Sequence, residues 1–229
     1  MKRLLLLSIT FFVTFTFSGQ SIQNAPAFGG IRLLEINAID KNIKGSEYSE
    51  ENKIKLLQKK YLSKVYNPAY VDEFKQLAYV KYNIFEDQME FVKGEHIYFL
   101  KKELNRKIRF TTLNITYKAY DLNGDIHFFA LHVEGKNSLL VKQSVRFIVA
   151  KKATTTYGKD KPADFKRRKD EFYLALNNKD LVLLPTKKKE FFSVFGDKES
   201  DIKSYMKKNK LGNKKVEDLV KAVSYFNTL

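Results

Sequence analysis

Residues 115–133 read ITYKAYDLNGDIHFFALHV. Two runs rich in aromatic and β-branched residues, Ile115 to Tyr120 and Ile126 to Val133, flank the dipeptide Asn123-Gly124. Asn-Gly is the strongest short hairpin signal, because both central residues of a type I′ turn take positive φ and these two residue types tolerate it best. The stretch therefore predicts two antiparallel strands joined by a tight turn.

The same grammar extends in both directions. Upstream, Leu77, Tyr79 and Lys81 alternate with Ala78, Val80 and Tyr82, a two-residue period typical of strands. Glu86-Asp87 interrupts the run, Met89 to Val92 resumes it, Lys93-Gly94-Glu95 turns it and His96 to Leu100 resumes it again. Lys107 to Leu113 is a further strand candidate. Downstream, Glu134 to Asn137 turns the chain into one long strand, Ser138 to Ala150, with a bulge expected near Gln143. Residues 151–169, with eight Lys/Arg, a Thr run and Pro162, read as an exposed basic loop. Glu171 to Leu176 and Leu181 to Leu184, joined through Asn177-Asn178, read as a last hairpin.

After Pro185 the apolar period changes from two to 3.6. Phe191, Phe192, Val194 and Phe195 predict a short helix, Ile202, Tyr205 and Met206 a second, and Val216, Leu219, Val220, Val223 and Phe226 a third. Gly212 is the expected C-cap of the second and Asn213 the N-cap of the third. Three apolar stripes need a surface to cover, since short helices are marginal on their own. The fold class is accordingly α+β and mainly β: a curved antiparallel sheet of hairpins with the C-terminal helices packed on it.

The 229 residues divide into 1–20, 21–186 and 187–229: an export signal, a β-rich body and the helical segment. Lys2 and Arg3 precede fourteen uncharged residues, Leu4 to Phe17, and small or polar side chains follow at Ser18 to Ser21. That is the pattern of a secretory signal peptide, too short for a span of a roughly 30 Å hydrocarbon core. Cleavage is expected between Ser18 and Ser21, with a periplasmic or secreted destination and no transmembrane segment in the mature chain. Between it and the sheet, Gly29-Gly30 opens an apolar run, Ile31 to Ile36, read as a strand, and Ser46 to Lys64 reads as a helix or an extended linker.

The formal charge of +16 falls to +14 once Lys2 and Arg3 are removed. In a cytosolic protein such an excess would point first to nucleic acid, but export makes that partner unexpected. The basic residues are 35 Lys and only 7 Arg, whereas bidentate phosphate recognition favours arginine. The absence of cysteine removes disulfides, thiol nucleophiles, thiolate zinc sites and iron-sulfur clusters.

Little else in the chain points to catalysis. Of the three histidines, His96, His127 and His132, the last two lie five apart on one expected strand and therefore on opposite faces, so no metal site is expected. Ser138 lacks the context of a nucleophile elbow, Gly29-Gly30 lacks that of a phosphate loop, and Asp121 to Asp125 is explained by the hairpin rather than by calcium. No cofactor is implied. Glu86, Asp87 and Glu90, beside Tyr82 and Asn83, could supply the acid and base of a glycoside hydrolase, but a hairpin turn is expected to leave them solvated. The candidate binding constellation is basic: Lys187 to Lys189 precede the first C-terminal helix, Lys207, Lys208 and Lys210 end the second, and Lys214 and Lys215 open the third. Lysines at a helix C-terminus complement its dipole, whereas those at an N-terminus oppose it. Either these form an anion-binding patch, with Lys207, Lys208, Lys210, Lys214 and Lys215 as its residues, or they are a solvated helix surface.

Two segments, Tyr82 to Phe91 (YNIFEDQMEF) and Val223 to Leu229 (VSYFNTL), resemble a group of uncharacterised exported bacterial proteins. Those proteins combine a signal peptide, a β-rich body with a YN…D-x-M-E-F hairpin, and C-terminal helices ending in an aromatic-Asn-x-Leu tail. The resemblance implies location and architecture and brings no catalytic residue. The expected function is a noncatalytic envelope or secreted binding protein, with an anionic envelope component as partner. The alternative is a hydrolase of envelope polysaccharide or peptide using carboxylates.

Overall fold

The computed structural model describes residues 49–72, 77–93, 96–155 and 157–229. The signal segment and the strand expected at Ile31 to Ile36 lie outside the described residues. The first described element, helix α1 (Glu50–Gln58), decides the Ser46 to Lys64 reading in favour of a helix, with the Ser49 side chain accepting from the Asn52 N–H at its start.

Ten strands form one antiparallel sheet: β1 (Asn67–Val71), β2 (Leu77–Asn83), β3 (Gln88–Lys93), β4 (His96–Phe99), β5 (Lys107–Phe110), β6 (Ile115–Leu122), β7 (Asp125–Val133), β8 (Ser138–Lys142), β11 (Glu171–Leu176) and β12 (Asp180–Leu183). Their order is β12-β11-β8-β7-β6-β5-β1-β2-β3-β4. The β6–β7 turn has φ of 58° at Asn123 and 90° at Gly124, as its sequence predicts. Asn177 and Asn178 likewise take positive φ between β11 and β12.

Two expectations fail between Ser138 and Lys169. The single long strand breaks at Gln143-Ser144, where Gln143 accepts a 2.6 Å hydrogen bond from the Tyr117 hydroxyl. Beyond the break, β9 (Val145–Ile148) leaves the large sheet and pairs with β10 (Asp164–Arg167) in a ribbon of their own. The supposed exposed loop thus contains a strand, anchored by buried Phe165, whose ring meets those of Phe85 and Phe147 at about 5 Å. Strand β1 is not signalled either, because Asn-Pro normally marks a turn. Pro68 fits within the sheet as the second residue of the strand, with its carbonyl accepting the Thr111 N–H.

The apolar side chains form three cores. On one face Val80, Tyr82, Met89, Tyr117, Phe128 and Val141 are covered by α1, through Leu56, and by the β9–β10 ribbon, through Val145 and Phe165. Farther along that face Leu139 and Leu174 meet helices α2 (Lys188–Ser193), α3 (Glu199–Lys208) and α4 (Val216–Phe226). The opposite face packs Tyr120, Phe129, Leu140 and Tyr173. The C-terminal helices therefore pack on the sheet, as their stripes require. Among the described residues no helix is long and apolar enough to cross a membrane.

The helix ends differ from expectation. Helix α3 closes with Lys210, not Gly212, in the left-handed conformation (φ 54°). The Lys210 N–H bonds the Lys207 carbonyl and the Leu211 N–H the Met206 carbonyl, the two bonds of a Schellman motif. Asn213 does not cap α4; its side chain reaches the carbonyls of Pro185 and Thr186 instead. The tail is clasped by asparagines: Asn227 accepts from the Asn137 N–H and donates to the Asn137 carbonyl, both at 2.8 Å. A side chain at Gly135 would come within 2.7 Å of the Asn227 amide nitrogen, which would have to shift.

Candidate functional site

The Tyr82 to Phe91 hairpin carries the most densely bonded carboxylate among the described residues. Asp87 sits at φ 52° in the β2–β3 turn and is buried. One carboxylate oxygen accepts from the Tyr82 hydroxyl at 2.7 Å and the Phe128 N–H at 3.3 Å. The other accepts from Lys102 Nζ at 2.9 Å and meets His127 Nδ1 at 2.8 Å. Strands β3 and β7 stand five places apart in the sheet order, so these contacts require the sheet to curl until the β2–β3 turn meets β7. The contact falls where β7 has lost its neighbour, because β8 pairs with β7 only from Ala130 onward. Asp87 thus takes up an amide that a continuing strand would have bonded.

Burial drives the Asp87 carboxyl upward, but the His127 hydrogen bond, the charges of Lys102 and Lys142 and the Tyr82 hydroxyl outweigh it and hold it below the ordinary aspartate value. An ionised carboxylate has only acceptors, so His127 donates through Nδ1. The Tyr82 hydroxyl is pushed well up by its own burial and by the neighbouring Asp87.

Glu90, also buried, lies three residues on. Its oxygens accept from the Tyr61 hydroxyl at 3.1 and 3.2 Å and from Asn83 Nδ2 at 3.3 Å. Lys81 lies 4.0 Å from the centre of the Tyr61 ring, a cation–π contact. Burial lowers the Lys81 ammonium, Glu90 pulls it back up, and Lys60 lowers it again. Burial, then Glu90, raises the Tyr61 and Tyr66 hydroxyls.

This corrects the expectation of a solvated turn. Glu86 is partly buried and paired with Lys60 at 3.2 Å, while Asp87 and Glu90 are interior. The signal was present in the spacing: Tyr82, Asn83, Asp87 and Glu90 place two hydroxyl or amide donors opposite two carboxylates across one hairpin, with the pairs Lys81–Glu90 and Tyr82–Met89 in register. What the hairpin alone does not reveal is Lys102 and His127, which only the curl of the sheet brings in.

The histidines remain apart. His96 is exposed on edge strand β4, and His127 faces Asp87. His132 is exposed, its imidazole lowered by partial desolvation and raised in part by Asp170 and Glu217. Among the described residues no group of three His, Asp or Glu side chains could hold a metal.

Lys207, Lys208, Lys210, Lys214 and Lys215 are all exposed around the turn between α3 and α4. None forms an ion pair among the described residues, in contrast to Lys55, Lys59, Lys60, Lys102 and Lys107. The turn is pinned from within by the Schellman bonds, by the Gly212 N–H donating to Asp218 at 2.9 Å, and by buried Asn213. Lys187 stands apart from this group in being paired with Glu190. No protein-family model matches the chain, and neither the curated proteins nor the solved structures contain a match to it.

Proposed function

We propose that the chain is an exported, noncatalytic binding protein, periplasmic or secreted, that holds an anionic envelope component on the α3–α4 lysine turn. The supporting observation is five exposed lysines that form no ion pair among the described residues, on a pinned turn, one of them held in a left-handed conformation. A non-glycine residue there costs roughly 1–2 kcal/mol, so Lys210 occupies a place where glycine would be easier. Two lysines also sit against the positive end of α4, where Glu217 and Asp218 only partly offset them. An anion bound at the turn would relieve the electrostatic term.

The carboxylate-hydrolase alternative has weaker support. An acid or base must keep a lone pair or proton free for substrate. The four donors on Asp87 occupy its accepting positions, and no hydrogen bond among the described residues joins the other His127 nitrogen to a nucleophile.

Two experiments test the proposal. Export rests on Lys2-Arg3 and the Leu4 to Phe17 run. Intact-mass measurement on protein recovered from its host should find a mature chain beginning at residue 19, 20 or 21. Soluble mature protein that retains residues 1–20 would remove the export reading. For the turn, replacing Lys207, Lys208, Lys214 and Lys215 by Glu should abolish low-salt retention on acidic polysaccharide, with an unchanged circular dichroism spectrum. Wild-type retention should weaken as the Debye length shrinks from about 10 Å at 0.1 M to about 3 Å at 1 M. Absence of any salt-sensitive retention of the wild type would make the turn a solvated surface.

A further inference from the structure

Five large apolar side chains, Leu77, Tyr79, Val92, Ile97 and Phe99, are each between 41% and 61% exposed. They lie on three adjacent strands, β2, β3 and β4, at the end of the sheet. On β2, Leu77 and Tyr79 alternate with half-buried Ala78 and buried Val80, which face the core. The registers Val92–Ile97 and Glu90–Phe99 place Ile97 and Phe99 on the same outward face. Strand pleating makes this one flat patch rather than scattered exposures, and patches of this kind mark interaction surfaces.

The chemistry beside the patch indicates the occupant. Leu77 is in register with Tyr70, and Tyr70 with Arg109, so a cation follows the apolar residues along one row of the sheet. The Arg109 guanidinium lies 4.7 Å from the Tyr70 ring centre and pairs with no carboxylate among the described residues. One strand farther on, Lys118 stands over the Tyr120 ring, likewise without a carboxylate. An apolar patch with tyrosine at its margin and unpaired cations alongside matches a surface that offers acyl chains beneath anionic headgroups. A second copy of the chain fits less well, because each copy carries a formal charge of +16, or +14 once Lys2 and Arg3 are removed.

We propose that this face of β2–β4 seats the protein peripherally on an anionic lipid surface, with Ile97 and Phe99 entering the acyl boundary and Arg109 meeting the headgroups. The inference goes beyond the lysine-turn reading and is independent of it: either surface can bind while the other does not.

The test uses flotation with vesicles of phosphatidylcholine, with and without about one-third phosphatidylglycerol. Wild-type protein and the lysine-turn charge-reversal variant should both float with the anionic vesicles, and neither with phosphatidylcholine alone. Ile97→Thr with Phe99→Thr keeps strand-forming residues at exposed edge positions and should lower the partition coefficient about tenfold or more, from the loss of partly buried apolar area. The chain has no tryptophan, so Phe99→Trp introduces a single reporter. Its emission should shift to the blue on anionic vesicles and be quenched by brominated acyl chains. Unchanged partitioning of the double variant, or a reporter whose emission does not move, overturns the proposal. So does a wild-type dimer in sedimentation that the double variant dissolves without any vesicle binding, since the face would then be a contact between copies. Loss of flotation only in the lysine-turn variant would assign lipid binding to that turn and likewise overturn it.

Discussion

Asp87→Asn is expected to destabilise the protein by about 3–5 kcal/mol, the range for removing one member of a buried charge pair. The substitution preserves shape, so the effect comes from electrostatics and hydrogen bonding. An amide can still accept from Tyr82 and Phe128 through its oxygen, but its NH2 group would face Lys102 Nζ and His127 Nδ1, which are donors themselves. Two cationic or donor groups would lose their acceptor in a place where water cannot easily replace it. Tyr82→Phe removes one of four donors to the same carboxylate and should cost less, about 1.5–3 kcal/mol. Urea titration of the two variants against wild type measures the difference. Equal, small effects would mean that Asp87 does not hold the curled sheet together.

The same carboxylate makes a pH prediction. Because its folded value lies below that of the unfolded chain, it binds fewer protons when folded, and its contribution is fully present above the ordinary aspartate value of 3.8. Stability should fall as the pH drops below that value toward the folded one, and Asp87→Asn should lack this part of the acid dependence. The neighbouring groups are Tyr82, Lys102, His127 and Lys142, with Tyr117 farther off. The loss should therefore be confined to strong acid.

Leu219→Ala carries the second large effect. Leu219 is fully buried on α4 among Leu139, Leu174 and the other helices, so truncation should cost about 2–5 kcal/mol. Lys221, two residues along the same helix, is exposed, and its replacement by alanine should change stability by less than about 0.5 kcal/mol. The pair separates docking of the helix from helix propensity, since both changes install alanine. Small and equal shifts in the denaturation midpoint would mean that α4 contributes little to the core.

Most of the sheet was legible because a two-residue alternation can be read one strand at a time. Leu77 to Tyr82, Ile115 to Tyr120 and Ile126 to Val133 each state which face is inward, and Asn123-Gly124 states where the chain reverses. The helical stripes were legible for the same reason, with a different period. What failed depended on residues far away in the chain. Ser138 to Ala150 is apolar enough for one strand, and nothing local says that Tyr117 holds Gln143 at the break or that Phe165 waits to pair beyond it. Pro68 hides β1, because a proline is weighed against the strand before its neighbours are known.

The buried carboxylates mark the boundary between the two kinds of information. By itself the sequence determined strand polarity, turn positions, the apolar faces of the helices, the gathering of lysines between α3 and α4, and the presence of Tyr, Asn, Asp and Glu on one hairpin, since each is a matter of spacing within a few residues. Only the tertiary structure decided that Asp87 is interior and ionised. Its ion partner Lys102 and its imidazole partner His127 lie 15 and 40 residues away and arrive through the curl of the sheet, and a carboxylate in a turn stays in water unless such distant donors replace its hydration.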